Sequence, residues 1–179
     1  MNDDMVFINQ YLSGNAEAGG ELVMIYQKQI YAFLYRMTGD AEESKDLTQG
    51  VFVSALKGLP GFRKDASFKT WLYKIAMNAG LNHLAKRREE TEIDESTPAQ
   101  ADRADCLIEK EKREIIKKEI SGLPERQRMA ITLRAYQGLS ISEAALVMGC
   151  TEGAVKAHYS LAVKKLKDSV TAKGYDNHA

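Results

Sequence analysis

Between residues 68 and 79 the apolar residues fall at Phe68, Trp71, Leu72, Ile75, Ala76 and Ala79. Steps of three and four draw one stripe along a helix. Ser67 stands where an N-cap belongs, and the stripe holds the chain's only Trp. A second line, at steps of four, reads Lys74, Asn78, Asn82 and Lys86, followed by Arg87 and Arg88. Asn is a mediocre helix former, so two of them in line with lysines mark a surface with a task. Lys and Arg neutralise phosphates, and Asn carboxamides can read base edges. The same pattern also fits a solvated amphipathic helix.

The helical period extends over most of the chain. Residues 3–12 form a short helix with Val6, Phe7, Ile8, Tyr11 and Leu12 apolar. A longer helix starts near Glu17 or Glu21 and ends at Met37, with Leu22, Ile25, Tyr26, Ile30, Phe33 and Leu34 inward and Gly39 as its stop. Asp40 caps the next, with Glu43 at the position of a capping box. Leu47, Val51, Phe52, Ala55 and Leu56 are its buried residues, and Gly58 ends it. The loop "LPGFRKDAS" follows, with Phe62 as an anchor toward the core. Beyond residue 106 the period returns at Leu107, Ile108, Ile115, Ile116 and Ile120, and Gly122 closes that helix. Pro124 opens another, with Met129, Ala130, Leu133 and Tyr136 inward, ending at Gly138. No segment alternates between hairpin turns, so the predicted fold is all-α.

The last module spans Ser140 to Lys167. Ser140 and Glu143 make a capping box. Ala145, Gly149 and Val155 supply the small crossing residue, the turn glycine and the branched apolar residue of a helix-turn-helix, and Thr151 caps its second helix. Val155, Tyr159, Ala162, Leu166 and Val170 form the inward stripe. Glu152, Lys156, Ser160, Lys164 and Lys167 face out. The second helix of such a unit enters the major groove with its N-terminal residues at the base edges. That makes Glu152, Lys156, Ala157 and Ser160 candidate readers, with His158 and Lys165 suited to phosphates. The spacing also fits a plain helical hairpin.

Charge changes how these pieces are joined. Lys and Arg total 25, as do Asp and Glu, so the net charge is zero and bulk attraction to DNA is excluded. The charges are segregated, however. Residues 66–88 hold three Lys, two Arg and no acid, while residues 89–105 hold seven acids and one Arg. The expected architecture is two small helical domains, 1–88 and 106–173, joined by a flexible acidic linker, 89–105, with a tail at 174–179. No window is apolar enough to span a membrane, and no export leader is recognisable. Cys106 and Cys150 lack metal-ligand spacing, so a reducing, cytoplasmic setting is expected. No metal or cofactor site is predicted. His83, His158 and His178 stand alone, and no nucleophile–base pair or phosphate loop appears, so the chain is not expected to be an enzyme.

Two helical modules, a basic Asn-bearing helix, an acidic stretch and a C-terminal helix-turn-helix stand in one order. With the strings "FKTWLYKIAMN" (68–78) and "LPERQRMAITLRAYQGLSISEAALVMGCTEGAVKAH" (123–158), that order resembles an extracytoplasmic-function sigma factor of bacterial RNA polymerase. The resemblance covers nearly the whole chain and implies partners and roles. Asp46, Leu47, Gln49 and Phe52 match the helix that docks on the clamp of the largest polymerase subunit. The helix-turn-helix domain is implied to meet the flap of the second-largest. The loop of Phe62, Arg63, Lys64, Asp65 and Ser67 matches the one that holds a flipped minus-10 base. Asn78 matches a residue that contacts minus-10 bases, and Trp71 and Tyr73 match aromatics beside the melted strand. Lys74, Asn82 and Lys86 extend that face. Thr151, Glu152, Lys156, Ala157, His158, Ser160 and Lys164 fall in the minus-35 reader. The resemblance also implies an anti-sigma factor as partner. The chain departs from the pattern at Lys45 and Gly50, where the family carries carboxylates, and at Leu161 and Val163, where it often carries Arg. Thr151-Glu152 replaces the usual Pro. The implied function is promoter-directed initiation by reading and melting the minus-10 element and reading the minus-35 element. The alternative is a stand-alone helix-turn-helix regulator, which would bind duplex DNA without polymerase.

Overall fold

A computed structural model describes residues 4–91 and 116–172. The described residues are helical with no strand, and they divide into two compact units. The acidic stretch beyond Thr91, the positions 107–115 and the tail lie outside the described residues.

The N-terminal unit holds α1 (Asp4–Leu12), α2 (Ala16–Thr38), α3 (Ala41–Gly58), a 3-10 turn (Leu59–Gly61) and α4 (Phe68–Thr91). Local chemistry sets the ends. Asn15 accepts from the Glu17 N–H and starts α2. Gly39 takes the left-handed conformation, φ 77°, that lets the chain leave it. The Asp40 carboxylate accepts from the Glu43 N–H at 2.9 Å. The second half of that box is replaced: the Glu43 carboxylate turns toward α4, where it lies 2.8 Å from His83 Nε2 and 3.4 Å from Arg87 Nη1. The His83 contact is a hydrogen bond only when Nε2 carries the proton. Ser67 caps α4 through the Thr70 N–H at 3.1 Å.

α4 is the central helix, and it is buried on two sides. The stripe read from the sequence is correct at Phe68, Leu72 and Ala76, while Trp71, Ile75 and Ala79 are half-buried. A second stripe, Thr70, Tyr73, Met77 and Gly80, packs against α2. Tyr73 meets Phe33 edge-on at 5.3 Å, and Gly80 admits the Met37 side chain so closely that a Cβ would lie 2.7 Å from it. Leu22, Ile30, Phe33, Leu34 and Leu72 are sealed completely, each stabilising by about 1.5–3 kcal/mol. Three inward assignments change: Ile25 is exposed, and Leu47 and Leu56 are half-buried, because they lie at the margins of their stripes. α4 also runs three residues into the stretch read as linker.

Two tyrosines of this core carry a pH consequence. Burial and then a 2.8 Å hydrogen bond to the Asp4 carboxylate push the Tyr26 hydroxyl above its usual range, and burial does the same for Tyr73. The folded unit therefore holds protons that an unfolded chain, titrating near 10.0, gives up. Stability is fully present below pH 10.0 and falls as pH rises past it. Thermal melts on either side of that value will show the decline, and Tyr73→Phe, which cannot ionise, will remove part of it.

The C-terminal unit holds α5 (described over 116–121), α6 (Glu125–Ile131), one π-helical turn (Thr132–Tyr136), α7 (Ile141–Met148) and α8 (Glu152–Ala172). Pro124 takes the N-cap of α6. Met129, Ala130 and Leu133 are buried as expected, but Tyr136 is exposed. The physical reason is the π turn, closed by the Gln137 N–H on the Thr132 carbonyl at 3.1 Å. Its wider turn shifts the phase of the last residues, and Ile131 and Thr132 face inward as well. Ala162, Leu123 and Ile131 join in one cluster where α8 lies on α6.

Candidate nucleic-acid interface

The first surface lies on α4 and the loop before it. Lys74, Asn78, Asn82 and Lys86 are all exposed, as are Arg87 and Arg88. They occupy the side left over between the two buried stripes, so their solvent position follows from the packing of α4 on α2 and α3. Arg63, Lys64 and Asp65 are exposed in the loop. Lys64 is left-handed at φ 61°, a conformation that costs a non-glycine residue about 1–3 kcal/mol and clusters at functional sites.

Aromatic rings hold the loop to the helix. Phe62 is half-buried, its ring 5.1 Å from Trp71 and 6.1 Å from Phe68, and Phe68 continues to Tyr26 at 5.6 Å. Trp71 lies over Gly58, where a Cβ would stand 3.2 Å from its ring. A side chain at 58 would push the indole away and release the loop. Trp71 keeps part of its surface in solvent. Tyr73 does not: it is 0% exposed. The place beside the melted strand that the resemblance implied for Tyr73 is corrected, because a residue two on from Trp71 points into the α2 face.

The second surface is on α3. Asp46 and Gln49 are exposed, and Leu47 is half-buried. Asp46 and Leu47 line a groove of about 440 Å³ between α3 and α4, with Gly50, Val51, Ile75 and His83 among its other walls. A Cβ on Gly50 would meet nothing, so packing does not demand glycine there and the groove is open at that point. Phe52 is only 6% exposed and belongs to the core. It offers no docking surface.

The third surface is α8. α7 carries the full capping box of Ser140 and Glu143, and Gly149 is left-handed at φ 59°. The Thr151 hydroxyl accepts from the Ala154 N–H at 3.2 Å, and Val155 is completely buried. These contacts make the tight crossing of a helix-turn-helix. Thr151, Glu152, Lys156, Ala157, Ser160 and Lys164 are exposed, and His158 is half-buried. Sequence reading missed the braces. Arg126 Nη1 donates to the Met148 carbonyl at 3.0 Å, tying α6 to the turn. Arg134 donates to the Leu139 carbonyl and lies 6.0 Å from the Tyr159 ring. Both arginines sit at polar positions of their period, so no sequence signal separates them from solvated ones.

Among the described residues no group of three or more His, Cys, Asp or Glu could hold a metal, and no helix is long and apolar enough to cross a membrane.

Comparison with known proteins places this geometry. Residues 22–90 match the family model of sigma-70 region 2, and residues 113–166 match that of sigma-70 region 4. The RNA polymerase sigma-H factor of Pseudomonas aeruginosa is 35% identical over 167 residues, 86% of each chain. The ECF RNA polymerase sigma-E factor of Escherichia coli K12 is 32% identical over 180 residues, 93% of this chain and 94% of its own. In fold, the chain is similar to the sigma factor RpoE of Bartonella quintana, solved in complex with the anti-sigma factor NepR, with a TM-score of 0.73, 24% identity and coverage of 85% and 96%.

Proposed function

The chain belongs to the sigma-70 family of RNA polymerase sigma factors, within its extracytoplasmic-function group, and on that premise we propose how its residues divide the work of initiation. As a sigma factor it binds core RNA polymerase and directs transcription initiation at promoters. The observation that carries the residue-level reading is that each matched region folds as its own unit and exposes a basic helix face.

The N-terminal unit is the minus-10 reader. A flipped base needs a rigid pocket edge, a stacking surface and groups for its hydrogen bonds. The Phe62–Ser67 loop, braced on Trp71, supplies the edge. The exposed part of the Trp71 indole supplies the stacking surface. Asn78 and Asn82 supply amides, while Lys74 and Lys86 neutralise phosphates. The α3–α4 groove, with Asp46 and Leu47 in its wall and Gln49 on the same helix, is the seat for the polymerase clamp. Lys45 there pairs with Glu42 at 2.6 Å, an exposed contact that contributes little. α8 reads the minus-35 element through Glu152, Lys156, Ala157 and Ser160, with Thr151, His158 and Lys164 flanking. The chain supplies no catalytic group to the reaction, which is the core enzyme's. The proposed compartment is the cytoplasm. An anti-sigma factor, such as the one bound to the Bartonella protein, is the proposed third partner.

The test is Asn78→Ala. Asn78 is exposed, so the variant folds. With core polymerase bound as before, permanganate reactivity of the minus-10 thymines is expected to drop about tenfold, the scale of one lost base contact. Reactivity equal to the wild type would remove Asn78 from the melted strand.

A further inference from the structure

The outward face of α8 has an unusual centre. Val155 and Ala162 are 0% exposed and define its inward side. At about 100° per residue, Gly153, Ala157, Ser160 and Lys164 lie opposite them, Lys167 and Asp168 stand to either side, and Leu161 lies farther round, next to Ala157; all seven are exposed. Glu152 and Lys156 lie toward one margin of this face, and Leu161 and Lys165 lie toward the other. Apart from Lys164, the middle carries no side chain able to make a paired hydrogen bond to a base. Gly153 and Ala157 have none, Ser160 has one hydroxyl, and Leu161 is a large apolar side chain 48% exposed.

Leu123, Leu133 and Leu139 of the unit are nearly fully buried, whereas Leu161 on α8 and Leu146 on α7 are 48% and 53% exposed. The charge around Leu161 names the occupant. Lys156, Lys164, Lys165 and Lys167 are exposed on α8 with only Glu152 and Asp168 opposing them. A surface so basic suits a polyanion, and duplex DNA presents one apolar group in its major groove, the thymine C5-methyl.

Resting on the reading of α8 as the minus-35 reader, we propose that Ala157 and Leu161, one helical turn apart on the same face, form an apolar strip that recognises thymine methyl groups in the minus-35 element. Ala157 and Gly153 let the helix backbone approach the base edges. Leu161 then packs on a methyl group deeper along the groove. The lysines around the strip hold phosphates and set the register. Specificity at those positions comes from the methyl group, and cytosine, which lacks it, is rejected.

The experiment uses holoenzyme assembled from the full chain and core polymerase. A selection from a randomised minus-35 element first identifies the preferred bases. Each preferred thymine, on either strand, is then replaced by deoxyuridine, which removes only the methyl group. Wild-type affinity is expected to fall about fourfold at one thymine or more, the effect of one buried methyl. Leu161→Ser is expected to lose the deoxyuridine effect at one of these thymines at least, and Leu161→Met to keep it. If deoxyuridine weakens the wild type and Leu161→Ser by the same factor, or no thymine is selected, the strip does not read methyl groups. Lys156→Ala separates this from failure of the underlying reading. If that variant alters the selected minus-35 sequence while Leu161→Ser does not, α8 is the reader and only the Leu161 role is overturned. If neither alters it, α8 is not the reader and both fall.

Discussion

Tyr73→Ala is expected to unfold the N-terminal unit at moderate temperature. Tyr73 is 0% exposed, and its ring meets Phe33 edge-on at 5.3 Å. Truncating a large buried aromatic to alanine costs about 3–5 kcal/mol. A domain of this size has total stability on the order of 5–15 kcal/mol. Each kcal/mol moves the midpoint by about 4–8 °C, so a fall of roughly 15 °C or more is expected. Circular dichroism on heating measures it directly. The same variant separates two roles. If Tyr73 stacked on the melted strand, alanine would leave the midpoint within a few degrees and impair only the open complex. Loss of the fold with loss of both core binding and melting assigns it to the core. Tyr73→Phe keeps the ring and should retain both activities at neutral pH.

Val155→Asp is expected to disable the C-terminal unit and leave the first one folded. Val155 is 0% exposed in the first turns of α8, at the crossing with α7. The change forfeits about 1.5–3 kcal/mol of apolar burial. It also buries a carboxylate at a fully enclosed apolar position, at a further several kcal/mol. A unit with so small a core cannot absorb that loss. Two melting transitions are expected in the wild type, and this variant should abolish one of them. Core binding through the N-terminal unit persists, and initiation becomes insensitive to the minus-35 sequence. A single transition lowered by either variant would show instead that the two units fold together. Retained minus-35 dependence in Val155→Asp would show that the buried crossing is not needed to present α8.

The periodic pattern and the end signals determined most of the architecture. Asp40, Ser67, Ser140 and Thr151 cap the helices that their positions announce, and Gly39 and Gly149 are left-handed where the chain turns. Caps are local chemistry, decided by a few neighbouring residues. The small–Gly–Val spacing of the helix-turn-helix is likewise local, and so is the exposed line from Lys74 to Lys86, whose side chains have no apolar alternative.

What the tertiary structure decided concerns residues that are amphipathic in character. Tyr73 and Phe52 read equally well as ligands or as core, and their burial depends on which helices lie against α4 and α3. One stripe was legible on α4 because a helix packed on one side shows one period. α4 is packed on two, and its second stripe contains Thr70 and Gly80, which no hydrophobic pattern counts. The π turn moved Tyr136 to the surface by a change of phase that sequence does not announce. Glu43 turned from its own helix cap to His83 and Arg87, forty and more residues away. In each case the deciding contact joins segments distant in the chain, and such contacts exist only after the helices have packed.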